Sequence, residues 1–170
     1  MNNVMVDIET LDNKPTSAIV SIGAVMFGPN GYDEYNTFYV VVDAQSCIDA
    51  GLTLSADTIS WWMKQSDQAR AVFQQPGTHI ANALVEFSKW FPTGAKLWGN
   101  GASFDNAILS NAYSALKLQQ PWDFWNDRCY RTIAAMHDRR RFQQGVHHNA
   151  LDDAKSQVEH LIQIAPGVCQ

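Results

Sequence analysis

The sequence predicts an α/β protein with a mixed sheet of five strands flanked by helices, and three observations support this fold class. Three runs rich in β-branched residues come first and are joined by short connections, so the first three strands are expected to be antiparallel. Strand-like and helix-like segments alternate in the rest of the chain, which is typical of α/β architectures. The chain has 170 residues, 46% of them hydrophobic and 17% charged, which suffices for a sizeable core. We therefore expect residues 1–170 to form a single domain.

The first three strands are expected at Val4–Thr10, Ala18–Phe27 and Asn36–Asp43. The connection "GPNGYD" between the second and third combines Gly, Pro and Asn, as hairpin turns do. In the first strand, "VMVDIET", side chains alternate between two faces. This alternation places the apolar residues on one face and both acids, Asp7 and Glu9, side by side on the other.

Helices are predicted in four later segments. The first should start near Ser55 or Asp57, both good N-caps, and carry "TISWWMKQSDQARAVF". The others cover "HIANALVEFSKWF", "FDNAILSNAYSALKL" and a last helix that begins near Asn149, with Ala150, Ala154, Val158, Leu161 and Ala165 on one face. Between them, "AKLWGNG" predicts a short strand, and "DRCYRTIAAM" is compatible with a short strand that runs into a helix.

The charge distribution is uneven. The net charge of −5 argues against a general nucleic-acid coat protein. Five of the twelve basic residues nevertheless lie within positions 128–141, namely Arg128, Arg131, Arg139, Arg140 and Arg141. Such a segment is either a solvated loop or a contact surface for phosphates.

Targeting signals and cysteine frameworks are not evident in the sequence. The N-terminus lacks a basic region followed by an apolar segment, and no apolar run approaches the ~18 residues that span a membrane. The cysteines Cys47, Cys129 and Cys169 form no CxxC pair, which suggests neither a disulfide framework nor a zinc site. We expect a soluble cytoplasmic protein with reduced thiols and no membrane association.

Two further acidic positions accompany the pair on the first strand. Asp105 follows the turn "GNGAS" and opens a helix, where an acid is commonly a cap. In "HHNALDDA", the helical stripe places Asp153 nearer the buried face than Asp152, and His148 precedes the helix. Each of these residues, taken alone, is compatible with an ordinary surface position.

Taken together, the four carboxylates and one histidine predict a metal site. Four oxygen ligands without a cysteine suit Mg²⁺ or Mn²⁺ rather than zinc. Two such ions can hold a phosphodiester, activate a water and stabilise the departing oxygen. Histidine has an ordinary pKa near ~6.5, which suits it to move protons near neutral pH.

The order "DIET", "SFD" and "HHNALDDA" resembles the DEDDh exonucleases of the ribonuclease H-like superfamily. The terminal H-x-A-x-x-D pattern is met by His148, Ala150 and Asp153. The segments "TISWWMKQS", "WGNGASFDNAIL" and "FWNDRCYRT" are similar to a smaller group of phage and prophage exodeoxyribonuclease VIII-like proteins and a mycobacterial 3′-5′ exoribonuclease. The chain departs from that group at Cys129, where "WNDRD" is more usual.

The resemblance implies roles for individual residues. Asp7 would bridge two Mg²⁺ or Mn²⁺ ions, Glu9 and Asp153 would lie on the nucleophile side, and Asp105 would help to hold the second ion. His148 would be the general base. Substrate contacts are expected from these residues: Thr10, Leu11, Phe104, Trp62, Arg139 and Arg140. Some of Arg139, Arg140 and Arg141 are expected to contact the phosphates upstream of the scissile bond. Phe104 is equally compatible with a core aromatic, and of Trp61 and Trp62 at least one is expected in the core.

The expected function is hydrolysis of single-stranded nucleic acid, DNA favoured over RNA, from a free 3′ end to nucleoside 5′-monophosphates. The alternatives are a nucleic-acid-binding module with a degenerate nuclease site and a metal-dependent nucleotidase. The resemblance implies a ribonuclease H-like fold and a phage, prophage or bacterial setting. Related exonucleases are often dimers, so a homodimer is left open.

Overall fold

The computed structural model describes residues 2–169 and contains one five-stranded sheet with helices on both faces. The strands are β1 (Asn3–Thr10), β2 (Ile19–Gly28), β3 (Gly31–Val41), β4 (Lys96–Gly99) and β5 (Asp127–Cys129). The α-helices are α1 (Ala44–Asp49), α2 (Ala56–Trp62), α3 (Asp67–Arg70), α4 (Ile80–Trp90), α5 (Asp105–Ala115), α6 (Tyr130–Ala134) and α7 (Ala150–Ile164). Short 3₁₀ helices cover Ala71–Gln74, Phe124–Asn126 and Pro166–Cys169.

The strand order is β3-β2-β1-β4-β5, with β1 in the centre. β1, β2 and β3 are antiparallel neighbours, whereas β4 and β5 run parallel to β1. The predicted mixed sheet with an antiparallel start is therefore confirmed. β3 begins at Gly31 rather than at Asn36, because Gly31 pairs directly with Gly28 and only two residues form the turn.

The two faces of β1 belong to two separate cores. Val4, Val6 and Ile8 join the larger core, which also contains Leu84 and Phe87 of α4. The opposite face packs Met5 against α7 through Ala154, Val158 and Leu161. The face that carries Asp7 and Glu9 is therefore covered by a helix and is not a solvent-facing surface.

Two of the predicted helical segments differ from the structure. The segment after Ser55 is broken into α2 and α3, because the Ser66 side chain accepts a hydrogen bond from the backbone N–H of Ala69 and starts a new helix. Helix α1 was not predicted, because its six residues bury only Ser46 and Cys47 and so show no helical period. The helices α4, α5 and α7 and the strand-to-helix segment β5–α6 occur where they were predicted.

Cys47 and Cys129 are free thiols, as expected, and the side chain of Cys169 lies outside the described part of the chain. Within residues 2–169, no helix combines the length and the apolar character that a membrane crossing requires.

The close approach of α7 to the sheet depends on Gly23. Gly23 is paired with Asp7 across the β1–β2 ladder. A Cβ atom at Gly23 would lie 2.2 Å from the carbonyl carbon of Ala150 and 2.2 Å from the nitrogen of Leu151. Because these are backbone atoms of the first turn of α7, they cannot move aside without moving the helix.

Gly23→Ala should therefore lower the free energy of unfolding by about 2–3 kcal/mol, since overpacking against a rigid backbone displaces the start of α7. Urea denaturation followed by circular dichroism measures this change. Gly167→Ala is the matched control, because a Cβ atom there meets no atom within 4 Å, and it should change stability by no more than about 0.5 kcal/mol. Equal stability of the two variants would contradict the packing argument.

Candidate active site

Four carboxylates from three elements meet beside the C-terminal end of β1. Asp7 and Glu9 lie on β1, Asp105 opens α5 and Asp153 lies in the first turn of α7. Their exposed fractions are 9%, 7%, 2% and 5%, respectively. Asp7, Glu9 and Asp153 each offer an oxygen within 4.8 Å of the others. The four predicted acids are therefore brought together, and we refer to Asp7, Glu9, Asp105 and Asp153 as the carboxylate cage.

Asp105 is fixed by the strand beside it. Its Oδ1 atom accepts a hydrogen bond of 3.2 Å from the backbone N–H of Ile8. The neighbouring Asn106 donates to the Leu97 carbonyl and to Asp127, which ties the start of α5 to β4 and β5. The Oδ2 atom of Asp105 is buried and has no hydrogen-bond partner among the described residues.

Asp7 has a partner that the sequence analysis did not identify. Nε2 of Gln157 donates a hydrogen bond of 2.6 Å to Oδ1 of Asp7, and Gln157 is fully buried. Gln157 lies four residues after Asp153, on the same side of α7. That spacing is the sequence signal by which it could have been found.

The electrostatics of the cage oppose ionisation. Burial raises the pKa of Asp7 well above its usual range, and the charges of Asp105, Glu9 and Asp153 raise it further. Burial, followed by the charges of Asp153 and Asp105, raises the pKa of Glu9 to about 8. Burial also raises the pKa of Asp105 to about 7, although the Ile8 hydrogen bond acts in the opposite direction. Four ionised carboxylates in this position require nearby cations.

His148 lies at the edge of the cage with a left-handed backbone, φ 67°. Its Nδ1 atom is 3.9 Å from Oε1 of Glu9, and its backbone N–H donates to Oδ2 of Asp153 at 3.0 Å. The ring packs edge-on against Trp61, with centroids 4.8 Å apart. Burial, and then the neighbouring His147, lowers the pKa of His148. The imidazole is therefore neutral near pH 7 and able to accept a proton.

The cavity beside the cage has a volume of about 170 Å³ and is lined by Phe104, His148 and two arginines, Arg131 and Arg141. Substrate contacts were predicted for Arg139 and Arg140 and, more generally, for some of Arg139, Arg140 and Arg141. Arg141 lines the cavity, whereas Arg139 and Arg140 are exposed and lie outside it, so their contact with a substrate stays a prediction. Sequence spacing could not select among the arginines, since the segment has no regular period.

The tryptophan pair also needs a correction. Trp62 was expected at the substrate groove, but it is 3% exposed, packs in the larger core and donates its indole N–H to the Thr10 carbonyl at 2.9 Å. Trp61 is 41% exposed and contacts His148. The ring of Trp62 also lies near His148, with centroids 6.1 Å apart, but only the exposed ring of Trp61 offers surface to a substrate. Thr10 and Leu11, 7% and 9% exposed, follow the cage on the same strand and its turn.

The residues present fit divalent cations. The cage supplies oxygen ligands from four carboxylates, and the unpartnered Oδ2 atom of Asp105 is a buried acceptor that a cation would satisfy. Hard oxygen ligands of this kind favour Mg²⁺ and Mn²⁺. His147, His148 and Asp153 form a second group of close donor atoms, but it contains two nitrogens and only one carboxylate. The carboxylate cage is therefore the better match to a magnesium or manganese centre.

Comparison with known proteins gives concordant results. The sequence profile of the 3′-5′ exoribonuclease Rv2179c-like domain matches residues 2–165. An exodeoxyribonuclease of Enterobacteria phage T4 is 24% identical over 160 residues, covering 78% of this chain and 70% of the phage protein. The solved nuclease domain of 3′hExo, a DEDDh family member bound to rAMP, has a TM-score of 0.57 and 16% identity, covering 98% of this chain and 92% of that one. The last similarity confirms the predicted ribonuclease H-like fold class.

The raised carboxyl pKa values predict an unusual pH dependence of stability in EDTA. Glu9 and Asp105 bind protons in the folded state at pH values where the unfolded chain, with pKa values of 4.5 and 3.8, has released them. The folded state is therefore most stable at low pH, and it loses stability as the pH rises through the pKa values that Glu9 and Asp105 have in the folded state. We expect the melting temperature to fall by about 5 °C or more between pH 5.5 and 8.

Differential scanning fluorimetry with EDTA or with MnCl₂ measures this effect. Manganese should remove most of the fall, because cations favour the ionised carboxylates. Glu9→Gln should flatten the EDTA curve, whereas Glu86→Gln, a change at an exposed position of α4, should leave it unaltered. A melting temperature that rises with pH in EDTA would contradict the electrostatic account of the cage.

Proposed function

This chain belongs to the family of 3′-5′ exoribonuclease Rv2179c-like domains and is a 3′-5′ exonuclease, and from this premise we propose that it removes nucleotides one at a time from single-stranded nucleic acid with two Mg²⁺ or Mn²⁺ ions. The products are nucleoside 5′-monophosphates. The observation that carries the proposal is the convergence of four buried carboxylates and His148 on one cavity. The proposed functional unit is a single domain over residues 1–170, and the family profile spans nearly all of it.

The proposed roles follow the position of each side chain. Asp7 would be a ligand shared by the two ions, Glu9 and Asp153 would hold the ion on the nucleophile side, and Asp105 would help to hold the second ion directly or through water. Two divalent ions held there supply an activated water and stabilise the departing oxygen.

His148 accepts the proton of the attacking water. Its Nδ1 atom lies beside Glu9, on the nucleophile side, and its lowered pKa keeps the imidazole in the accepting form. The hydrogen bond from its backbone N–H to Asp153 ties the base to a carboxylate of the cage.

The terminal nucleotide contacts the rim of the cavity. Phe104 lines the cavity and is half-buried, so its exposed face is available to stack on a base. The backbone amide of Thr10 and the side chain of Leu11 lie just beyond Glu9 and are proposed as further contacts. Base stacking of this kind is tolerant of sequence, which suits an enzyme that removes successive nucleotides.

DNA is the proposed preferred substrate, with RNA as the alternative. The phage relative is an exodeoxyribonuclease, and this supports DNA as the substrate of this chain. The family profile is described as an exoribonuclease, and this supports RNA as the alternative. The phage relative also favours a phage or prophage setting within the cytoplasm of a bacterium. Gel filtration with light scattering tests whether the chain forms the homodimer that its resemblance leaves open.

Digestion of matched 5′-labelled oligonucleotides tests the activity directly. Single-stranded DNA, single-stranded RNA and a blunt duplex are incubated with MgCl₂, MnCl₂ or EDTA. We expect a ladder of products that shortens from the 3′ end, faster on single strands, faster on DNA and lost in EDTA. Release of phosphate from mononucleotides without a ladder would identify a nucleotidase, and binding without cleavage in every metal would identify a degenerate site.

His148→Ala should lower kcat by about 100-fold or more, since it removes the proposed general base. Binding of Mn²⁺ and of single-stranded oligonucleotide should persist, because the cage is unaltered. Stopped assays and calorimetry measure the two properties separately. His137→Ala, a change at an exposed histidine outside the cavity, is the matched control and should retain wild-type turnover. A rate within a few fold of wild type for His148→Ala would refute the base assignment.

A further inference from the structure

Two arginines line the cavity beside its carboxylates. Arg131 comes from α6 and Arg141 from the segment that precedes α7, and both line the same cavity as the carboxylate cage. The two arginines are ten residues apart in the chain and belong to different elements. A site that combines metal-binding acids with two guanidinium groups can bind more than one phosphate of a strand.

Arg141 belongs to a segment that is held by one row of α7. Asp152, Ser156 and His160 are spaced four residues apart and therefore lie on one side of the helix. Each of them bonds to the backbone of residues 139–146, and we call these three residues the α7 polar row. Oδ2 of Asp152 accepts from the N–H of Val146 at 2.8 Å, and Oγ of Ser156 accepts from the N–H of Gln144 at 2.9 Å.

The third member of the row fixes the other end of the segment. Nε2 of His160 donates to the carbonyl oxygen of Arg139 at 2.6 Å. Nδ1 of the same ring lies 2.7 Å from the Tyr130 hydroxyl, which donates to it when the imidazole is neutral. His160 and Ser156 are 5% and 0% exposed, so loss of either partner would leave a buried polar group unbonded. The backbone on both sides of Arg141 is therefore fixed.

The guanidinium of Arg141 lies beside the carboxylate cage but is too far from Asp153 for a hydrogen bond. Its Nη2 atom is 3.8 Å from Oδ1 of Asp153, which is longer than a hydrogen bond. The position at Oδ1 is already occupied by Nε2 of Gln143, which donates to it at 2.7 Å. The donors of Arg141 thus remain available to an anion in the cavity.

Arg131 lies against a glycine on the other side. Gly101 has φ 126°, a conformation that other residues rarely adopt, and a Cβ atom there would lie 3.2 Å from the guanidinium carbon of Arg131. The absence of a side chain at Gly101 lets the Arg131 guanidinium lie over the turn that follows β4. Within residues 2–169 no hydrogen bond holds this guanidinium.

We propose that Arg131 and Arg141 form a phosphate subsite for the phosphodiester immediately 5′ of the scissile one, and that the α7 polar row positions Arg141 for this contact. The inference rests on the proposed exonuclease function. The carboxylate cage would hold the cations that bind the scissile phosphate, which leaves the two guanidinium groups at its border to bind the next phosphate of the strand. Arg131 and Arg141 are then substrate-binding residues, and Ser156 and His160 are positioning residues.

Two dinucleotides that differ only in one phosphate test the subsite. A DNA dinucleotide with a 5′-hydroxyl and the same dinucleotide with a 5′-phosphate share one scissile bond, but only the second can fill the subsite. For the wild-type enzyme we expect the 5′-phosphate to raise kcat/KM by about tenfold or more, mainly through KM. Arg141→Gln and Arg131→Gln should each reduce this ratio, with Arg141→Gln bringing it close to one.

Matched variants separate binding from folding. Arg70→Gln makes the same change at an arginine that pairs with Asp67 and lies outside this cavity, and it should keep the wild-type ratio. Ser156→Ala should lower the ratio with little change in kcat, and it should have no further effect on the ratio in the Arg141→Gln background. Additive effects of Ser156→Ala and Arg141→Gln would refute the positioning role.

The outcomes also distinguish the subsite from the proposed function. Cleavage of both dinucleotides with a ratio of one for the wild type, or with an unchanged ratio in Arg141→Gln, would overturn the subsite and leave the exonuclease proposal standing. If the wild type cleaves neither dinucleotide, the exonuclease proposal is at fault. Calorimetric dissociation constants for the two dinucleotides then decide the subsite, with a 5′-phosphate preference supporting it and equal affinity overturning it.

Discussion

The rest of the structure depends on one constraint, the burial of four carboxylates next to one another in the cage. Burial and mutual repulsion both oppose ionisation, which raises the pKa values of Asp7, Glu9 and Asp105. Asp7 accepts a hydrogen bond from Gln157, and Asp105 accepts one from the backbone N–H of Ile8. These donors do not neutralise the charge, so the cage becomes fully compatible with ionisation only when cations are present. Affinity for cations is thus gained at the expense of stability in their absence.

Three sides of helix α7 contribute to the position of the cage and of the residues around it. An apolar side packs Ala154, Val158 and Leu161 against the sheet, which fixes the helix axis. The side toward β1 carries Asp153 and Gln157, and Gly23 of β2 leaves room for this approach. The α7 polar row forms the third side and holds the backbone of residues 139–146, on both sides of Arg141. One helix therefore determines the positions of a proposed metal ligand, of the proposed base through its hydrogen bond to Asp153, and of an arginine.

Much of the fold and of the cage could be predicted, because the relevant signals are local and periodic. The two-residue period of β1 placed Asp7 and Glu9 on one face, and the helical stripe from Ala150 distinguished Asp153 from Asp152. Tertiary packing decided what could not be predicted. Trp62, predicted as a substrate contact, is instead the buried member of the tryptophan pair, and only its packing against Thr10 and the core shows this.

The arginines that line the cavity could not be identified from the sequence either. Five basic residues in positions 128–141 have no period that selects the two that face the cavity. The selection depends on α6 for Arg131 and, for Arg141, on backbone contacts to a helix that begins later in the chain. The break between α2 and α3 likewise depends on one capping serine, whose effect competes with an otherwise helical pattern.

The negative charge of the chain is compatible with a polyanionic substrate because the relevant field is local. Two divalent ions would change the formal charge from −5 to −1, and they would do so at the point where the strand must enter. Exposed charges more than about 10 Å away are largely screened at physiological ionic strength, so the acids elsewhere on the surface contribute little repulsion there. The field at the cavity is then set by the loaded cage together with Arg131 and Arg141. In the proposed mechanism, cation binding would therefore control substrate affinity as well as the chemical step, because a cage without cations would repel the phosphate of the substrate.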